Sequence, residues 1–198
     1  MEITIGAAED PVIRLIADRT RARAQQDPCA NLCTLANVDE EGLPRARTMV
    51  LREIDARLAI FVNATSPKWP TICSGNVSIV VWLPTLNVQY RLACETEPVP
   101  EALVAASWQL RPDPPKQMDW FYTRIQPQSS KVASREELLD KLASLDLPDP
   151  LLAPDTAKGL YLNPTTIDRL DLGQTNGIHD RRCYQRNKPG WTETVLAP

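Results

Sequence analysis

Four short stretches hold the residue types with chemistry to offer. Arg45-Ala46-Arg47-Thr48-Met49-Val50-Leu51-Arg52 sets three guanidinium groups along one segment. A guanidinium stays charged at any physiological pH, and its planar fork suits phosphate or carboxylate oxygens. Solvated surface arginines are the plain alternative. Strand alternation puts Arg45 and Arg47 on one face and Arg52 on the other. A ligand touched by both Arg47 and Arg52 therefore needs a bulge, a strand end or a second subunit. Ser66-Pro67-Lys68 offers a hydroxyl, an ammonium and free backbone N–H groups at a helix start, either an anion site or an ordinary cap. Gln128-Ser129-Ser130-Lys131 is a polar loop that either binds a ligand or merely leads into a helix. Gly177-Ile178-His179-Asp180-Arg181-Arg182 leads into a strand. His179 either exchanges a proton near neutrality or is a bland structural residue.

The whole chain narrows what these stretches can be. With 198 residues it can hold a core without metal or disulfide staples. A net charge of −3 argues against a general nucleic-acid binder. There are 18 prolines against 7 glycines, and neither G-x-G-x-x-G nor G-x-x-x-x-G-K-[ST] occurs. That removes the glycine-loop routes to dinucleotides and nucleoside triphosphates. With one histidine, a metal site of two or three histidines is impossible, so no metal is expected. A Ser–His–Asp triad would have to be built on His179. Cysteines 29, 33, 73, 94 and 183 are odd in number, and the closest pair is spaced C-x-x-x-C. Cys33, Cys73 and Cys94 lie in apolar segments and read as reduced core residues. No apolar run approaches the ~18 residues of a membrane span, and Met1–Ile5 shows no secretory pattern. The expectation is a cytoplasmic protein, in contact with neither membrane nor nucleic acid.

The elements that must position these residues follow from periodicity. Asp10-Pro11 opens a helix to about Gln26. Strands are expected at Asn31–Val38, Arg45–Glu53, Leu58–Asn63, Val77–Leu83 and Val88–Glu95, with a short helix from Ser66 to Cys73. Pro100–Leu110 and Gln117–Arg124 read as helices divided by Arg111-Pro112-Asp113-Pro114-Pro115, taken as impassable. Ser134-Arg135-Glu136-Glu137 is a capping box. Strands return at Gly159–Asn163, Thr166–Leu172, Asp180–Arg186 and Trp191–Leu196, the last two joined by a turn at Asn187-Lys188-Pro189-Gly190. Gaps this short favour antiparallel pairing. The sum is an α+β domain over residues 1–198, residues 1–9 being an arm, with its sheet closed as a barrel.

The order of several motifs carries a resemblance. Arg47-Thr48-Met49-Val50-Leu51-Arg52, Phe61-Val62-Asn63 with Ser66-Pro67-Lys68, Gln89-Tyr90-Arg91 and Gln128-Ser129-Ser130 come first. His179-Asp180-Arg181-Arg182-Cys183-Tyr184-Gln185-Arg186 and a closing Leu196-Ala197-Pro198 follow. Together they resemble the pyridoxamine 5′-phosphate oxidase family from about residue 10 onward. The resemblance implies a homodimeric split β-barrel with FMN in clefts at the subunit interface. It implies that Arg47 and Lys68, supported by Ser66, bind the FMN phosphate. Thr48, Met49, Val50, Leu51 and Arg52 would line the isoalloxazine edge, with Val62 and Asn63 also at the cofactor. Gln89 and Arg181 would complete the pocket, and Gln128 and Ser129 would reach in from the other subunit.

Arg52, Arg111 and His179 match the family's substrate residues, with Arg52 and His179 nearest the chemistry. The implied reaction passes a hydride from C4′ of pyridoxine or pyridoxamine 5′-phosphate to flavin N5, with reoxidation by dioxygen. Several positions depart from the pattern: Gly177 stands for an arginine, Ser107 for a tyrosine, Pro115 for a serine, Pro67 for an arginine and Asp171 for a tryptophan. More of the flavin side than of the substrate side is kept. Two alternatives therefore stand beside the oxidase: an FMN protein with another substrate, such as a flavin reductase, and a non-catalytic flavin binder. A barrel without its cofactor is the third.

Overall fold

A computed structural model describes residues 3–5, 10–73, 75–187 and 190–198. Helix α1 (Pro11–Ala24) starts as its sequence dictates. Asp10 accepts from the Val12 N–H at 2.7 Å, and Pro11 fills a first-turn position that needs no N–H. Leu15, Asp18, Arg19 and Ala22 form its buried face.

The strands are β1 (Ile3–Ile5), β2 (Leu32–Val38), β3 (Pro44–Val50), β4 (Arg52–Ile54), β5 (Arg57–Asn63), β6 (Asn76–Leu83), β7 (Val88–Pro98), β8 (Ala157–Asp171), β9 (Asp180–Asn187) and β10 (Gly190–Leu196). Every pairing is antiparallel, in the order β1-β10-β9-β8-β7-β6-β2-β3, with β5 added between β8 and β4. Residues 157–162 of β8 pair with β5, residues 160–171 with β7 and residues 166–171 with β9. The path from β5 through β8, β7, β6 and β2 to β3 returns to β5 by the covalent step from β3 to β4. The sheet is thus a curled barrel split at Leu51. Helices α2 (Trp69–Cys73), α3 (Glu101–Gln109), α4 (Asp113–Arg124) and α5 (Arg135–Ala143) complete an α+β fold.

The core follows the pleat. Leu35, Ile79, Val81, Tyr90, Leu92, Leu160, Leu162 and Ile167 are buried, with Leu15 and Ala22 of α1 packed onto them. Each large apolar side chain here stabilises by roughly 1.5–3 kcal/mol. Between β6 and β7, Asn87 takes a left-handed φ of 52°, a conformation asparagine tolerates. Ser134 caps α5, its Oγ accepting from the Glu137 N–H at 3.1 Å. Glu137 reaches back to the Ala133 N–H rather than to that of Ser134, so the expected capping box is formed on one side only.

Several expectations need correction. The segment 45–53 is two strands rather than one, because the chain changes partner. The Leu51 N–H still donates to the Asn31 carbonyl in register with β2, and from Arg52 the pairing is with β5. The two strands expected at Gly159–Asn163 and Thr166–Leu172 are one, Ala157–Asp171. The β7–β8 register shifts where Ala93 faces Thr166 and Cys94 faces Pro164, so Thr165 is the extra residue of a bulge and Pro164 is tolerated beside it. Helix α4 begins at Asp113, not Gln117, since Pro114 and Pro115 occupy its first turn. Cys33 and Cys94 are buried as expected, but Cys73 is exposed at the end of α2. The expected turn at 187–190 has its centre, Lys188 and Pro189, outside the described residues. Most of the proposed arm at 1–9 also lies outside them; Ile3–Ile5 pairs with β10.

Candidate functional site

Strand β3 carries Arg47, Thr48 and Met49, and the end of β5 carries Phe61, Val62 and Asn63. With Lys68 before α2 and one face of α4, they enclose a cavity of about 430 Å³. Arg111 and Gln128 also line it. Helix α4 supplies Pro115, Met118, Asp119 and Tyr122 at the spacing that puts side chains on one helix face.

The two cations at one end have only neutral partners among the described residues. Arg47 donates to the Asn37 side-chain oxygen and to the Leu35 carbonyl. Lys68 donates to Ser66 Oγ at 2.9 Å. Burial, and then the neighbouring Arg47, lower the Lys68 pKa below 10.5. Asp39 and Glu41, which line the hollow adjoining this end, pair with Arg45 instead. Two positive charges side by side, with no ion-paired carboxylate among the described residues, make a site that gains from an anion. Gln128 asks for a different group: its buried Oε1 is an acceptor left without a donor among the described residues. Ser66 and Ser129 line an adjoining hollow that shares Arg47 and Lys68.

At the other end the charge is balanced. Asp119 is 5% exposed; its Oδ2 accepts from Trp108 Nε1 at 2.8 Å and from Arg111. Asn63 Nδ2 lies 3.4 Å from Asp119 Oδ1 and donates to Thr156 Oγ1 at 3.1 Å. Asn63 Oδ1 accepts from the Thr65 N–H and hydroxyl, and Thr65 Oγ1 accepts from the Gln128 N–H. Burial first, then Asp119, raises the Tyr122 pKa.

The structure brings together Arg47, Thr48, Met49, Val62, Asn63, Lys68, Arg111 and Gln128. It does not bring in the others. Val50, Leu51 and Arg52 line a separate hollow with Arg19, Arg23 and Ser107. Gln89 is on β7 opposite Trp82 and Leu170, and Arg181 is ion-paired with Asp168. His179 is exposed in the loop before β9. Gln128 and Ser129 lie beside Arg47 and Lys68 of their own chain. Asp171, where the family pattern has tryptophan, pairs with Arg169. Sequence reasoning missed Asp119, Met118 and Tyr122; their helical spacing becomes visible once α4 is started at Asp113.

No family model matches the chain. Among curated proteins, the pyridoxine/pyridoxamine 5′-phosphate oxidase of Thermosynechococcus vestitus is 31% identical over 196 residues, covering 97% of this chain and 90% of that protein. The chain belongs to the pyridoxine/pyridoxamine 5′-phosphate oxidase family. The family member from Myxococcus xanthus is 29% identical over 199 residues, covering 96% and 92%. Two solved structures share the fold. PhzG of Burkholderia lata, in complex with tetrahydrophenazine-1-carboxylic acid, superposes with a TM-score of 0.80 at 21% identity, covering 96% and 93%. A pyridoxamine 5′-phosphate oxidase-related, FMN-binding protein of Nostoc punctiforme gives 0.75 at 21% identity, covering 93% and 95%. Among the described residues no helix is long and apolar enough to cross a membrane.

Proposed function

We propose that this chain is an FMN-dependent oxidoreductase that oxidises a small heteroaromatic alcohol or amine. The observation that carries this reading is the Arg47–Lys68 pair, two adjacent cations on a cavity wall whose partners among the described residues are neutral. A phosphate dianion suits that pair, and the unpartnered Gln128 Oε1 beside it suits a donor on a heterocycle. Phe61, Met49 and Met118 give the same cavity an apolar wall for a flat ring.

When bound, FMN supplies a hydride acceptor at N5 that dioxygen returns to its oxidised form. Arg47 and Lys68 hold the phosphate, and the Ser66 hydroxyl fixes the direction of the Lys68 ammonium. Thr48, Met49, Val62, Asn63 and Gln128 line the cofactor, and Ser129 stands at the edge of the phosphate end. For an alcohol substrate, the carbon gives up a hydride and the hydroxyl a proton, leaving an aldehyde. Dioxygen takes the two electrons and two protons as hydrogen peroxide. The names of the relatives make vitamin B6 compounds the first substrates to try.

The active form in this reading is a cytoplasmic homodimer. Exposed Val38, Leu43 and Val50, at and beside the edge strand β3, support it. A second copy would bring its own Gln89, Arg181 and His179 toward the cavity. The exposure of His179 favours a second reading, a flavin-binding protein without turnover.

The test is an absorption spectrum of purified protein, followed by pyridoxine and pyridoxamine, with and without 5′-phosphate, in the absence of air. Flavin bands that bleach and return with oxygen are expected. A protein that takes up no FMN overturns the cofactor; flavin that ignores all four compounds overturns the substrate and leaves the binding protein.

A further inference from the structure

The two ends of the cavity differ in charge, and that difference bears on the ligand taken beside the cofactor. Arg47 and Lys68 are unneutralised, whereas Arg111 is held by a buried carboxylate. Asp119 is fixed in turn by the Trp108 indole N–H and the Asn63 amide. Once a phosphate has neutralised Arg47 and Lys68, the Arg111–Asp119 pair leaves no net positive charge on the wall. Arg52, the other residue that could meet a substrate anion, lines the separate hollow.

We propose that Asp119 is a specificity-determining residue which, by neutralising Arg111, makes this chain take an unphosphorylated heteroaromatic alcohol or amine. The proposal rests on the flavin reading above and names the substrate class of that site. Met118, Tyr122 and Phe61 provide the surface for a flat ring, and the paired Arg111 still has N–H groups to offer a neutral acceptor.

The experiment uses FMN-loaded protein and two probes that have no C4′ oxygen to oxidise, 4-deoxypyridoxine and its 5′-phosphate. Binding is followed by calorimetry, with bound FMN measured separately by its absorbance. Wild type is expected to bind the unphosphorylated probe at least as well as the phosphate, to within about threefold. Asp119→Asn, which frees the Arg111 charge, should retain FMN and shift the ratio toward the phosphate by about tenfold or more. Asp119→Glu, which restores the pair, should return the wild-type ratio. A wild type that prefers the phosphate by about tenfold overturns the proposal, whatever becomes of the variants. So does an unchanged ratio in Asp119→Asn, or failure of both probes to bind. Protein that cannot be loaded with FMN would instead sink the flavin reading, so the two failures are distinguishable.

Discussion

Arg19 of α1 donates from Nη2 to the main-chain carbonyl of Leu51 at 2.7 Å, at the one residue where β3 and β4 part. The same guanidinium donates from Nε to the Ala30 carbonyl at 2.9 Å and is ion-paired with Glu53. A buried arginine thus ties the split of the barrel to the helix beneath it. Glu53→Gln would leave Arg19, 1% exposed, without its carboxylate. Stability to urea should fall by about 3 kcal/mol, the usual scale for a broken buried pair. A loss below about 1 kcal/mol would mean that the two carbonyls alone hold Arg19.

Removing one cation from the phosphate end should weaken the cofactor without unfolding the protein. For Arg47→Ala, FMN affinity should drop about a hundredfold, measured by quenching of flavin fluorescence. Full flavin content after purification would show that the phosphate lies elsewhere.

The Lys68 pKa lies below the ordinary 10.5, lowered by burial and then by Arg47. A lowered pKa means that the ammonium loses its charge earlier as pH rises, and a bound phosphate opposes that loss. FMN affinity should therefore decline in the alkaline range before 10.5 is reached. Lys68→Arg should stay flat there, because arginine keeps its charge. Equal profiles for the two proteins would remove Lys68 from the site.

If His179 acts on the cavity of a second copy, two inactive variants should complement each other. Arg47→Ala and His179→Ala, mixed and refolded together, should recover about a quarter of wild-type turnover, since half the dimers are mixed and each has one intact site. No recovery from two well-folded proteins would place His179 in its own chain's site or outside catalysis.

Burial pushes the Cys33 thiol up to about 11, and the Cys94 thiol up to about 12. Both folded values exceed the ordinary 9.0, so the folded chain keeps protons that the unfolded chain releases. Stability from this source is intact below pH 9 and is lost as pH rises through the folded values. The urea midpoint should fall above pH 9, and Cys33→Ala should flatten the fall by about 1.4 kcal/mol for each pH unit above it. Parallel curves would refute the assignment.

Much of this was legible where the signal is local. The Asp10 cap, the Ser134 cap and the alternation through Val77–Leu83 each depend on residues a few places apart. The break at Leu51 was not legible, because the partners that hold it are Asn31 and Arg19, far away in sequence. Pro114 and Pro115 read as breakers because their rule differs between a helix interior and its first turn. Arg47 with Lys68 was anticipated from motif order, and the structure puts both on one wall. The neutralisation of Arg111 was invisible, since its partner Asp119 belongs to no motif.

Strand β8 pairs with β5, β7 and β9 at once. On a ribosome, both β5 and β7 would emerge long before residues 157–171 exist to join them. Until then each would offer a bare row of amides and carbonyls to any neighbouring chain. Assembly of the cavity wall is thus a late event of synthesis, and a nascent chain halted before Ala157 would be a substrate for chaperones rather than for FMN.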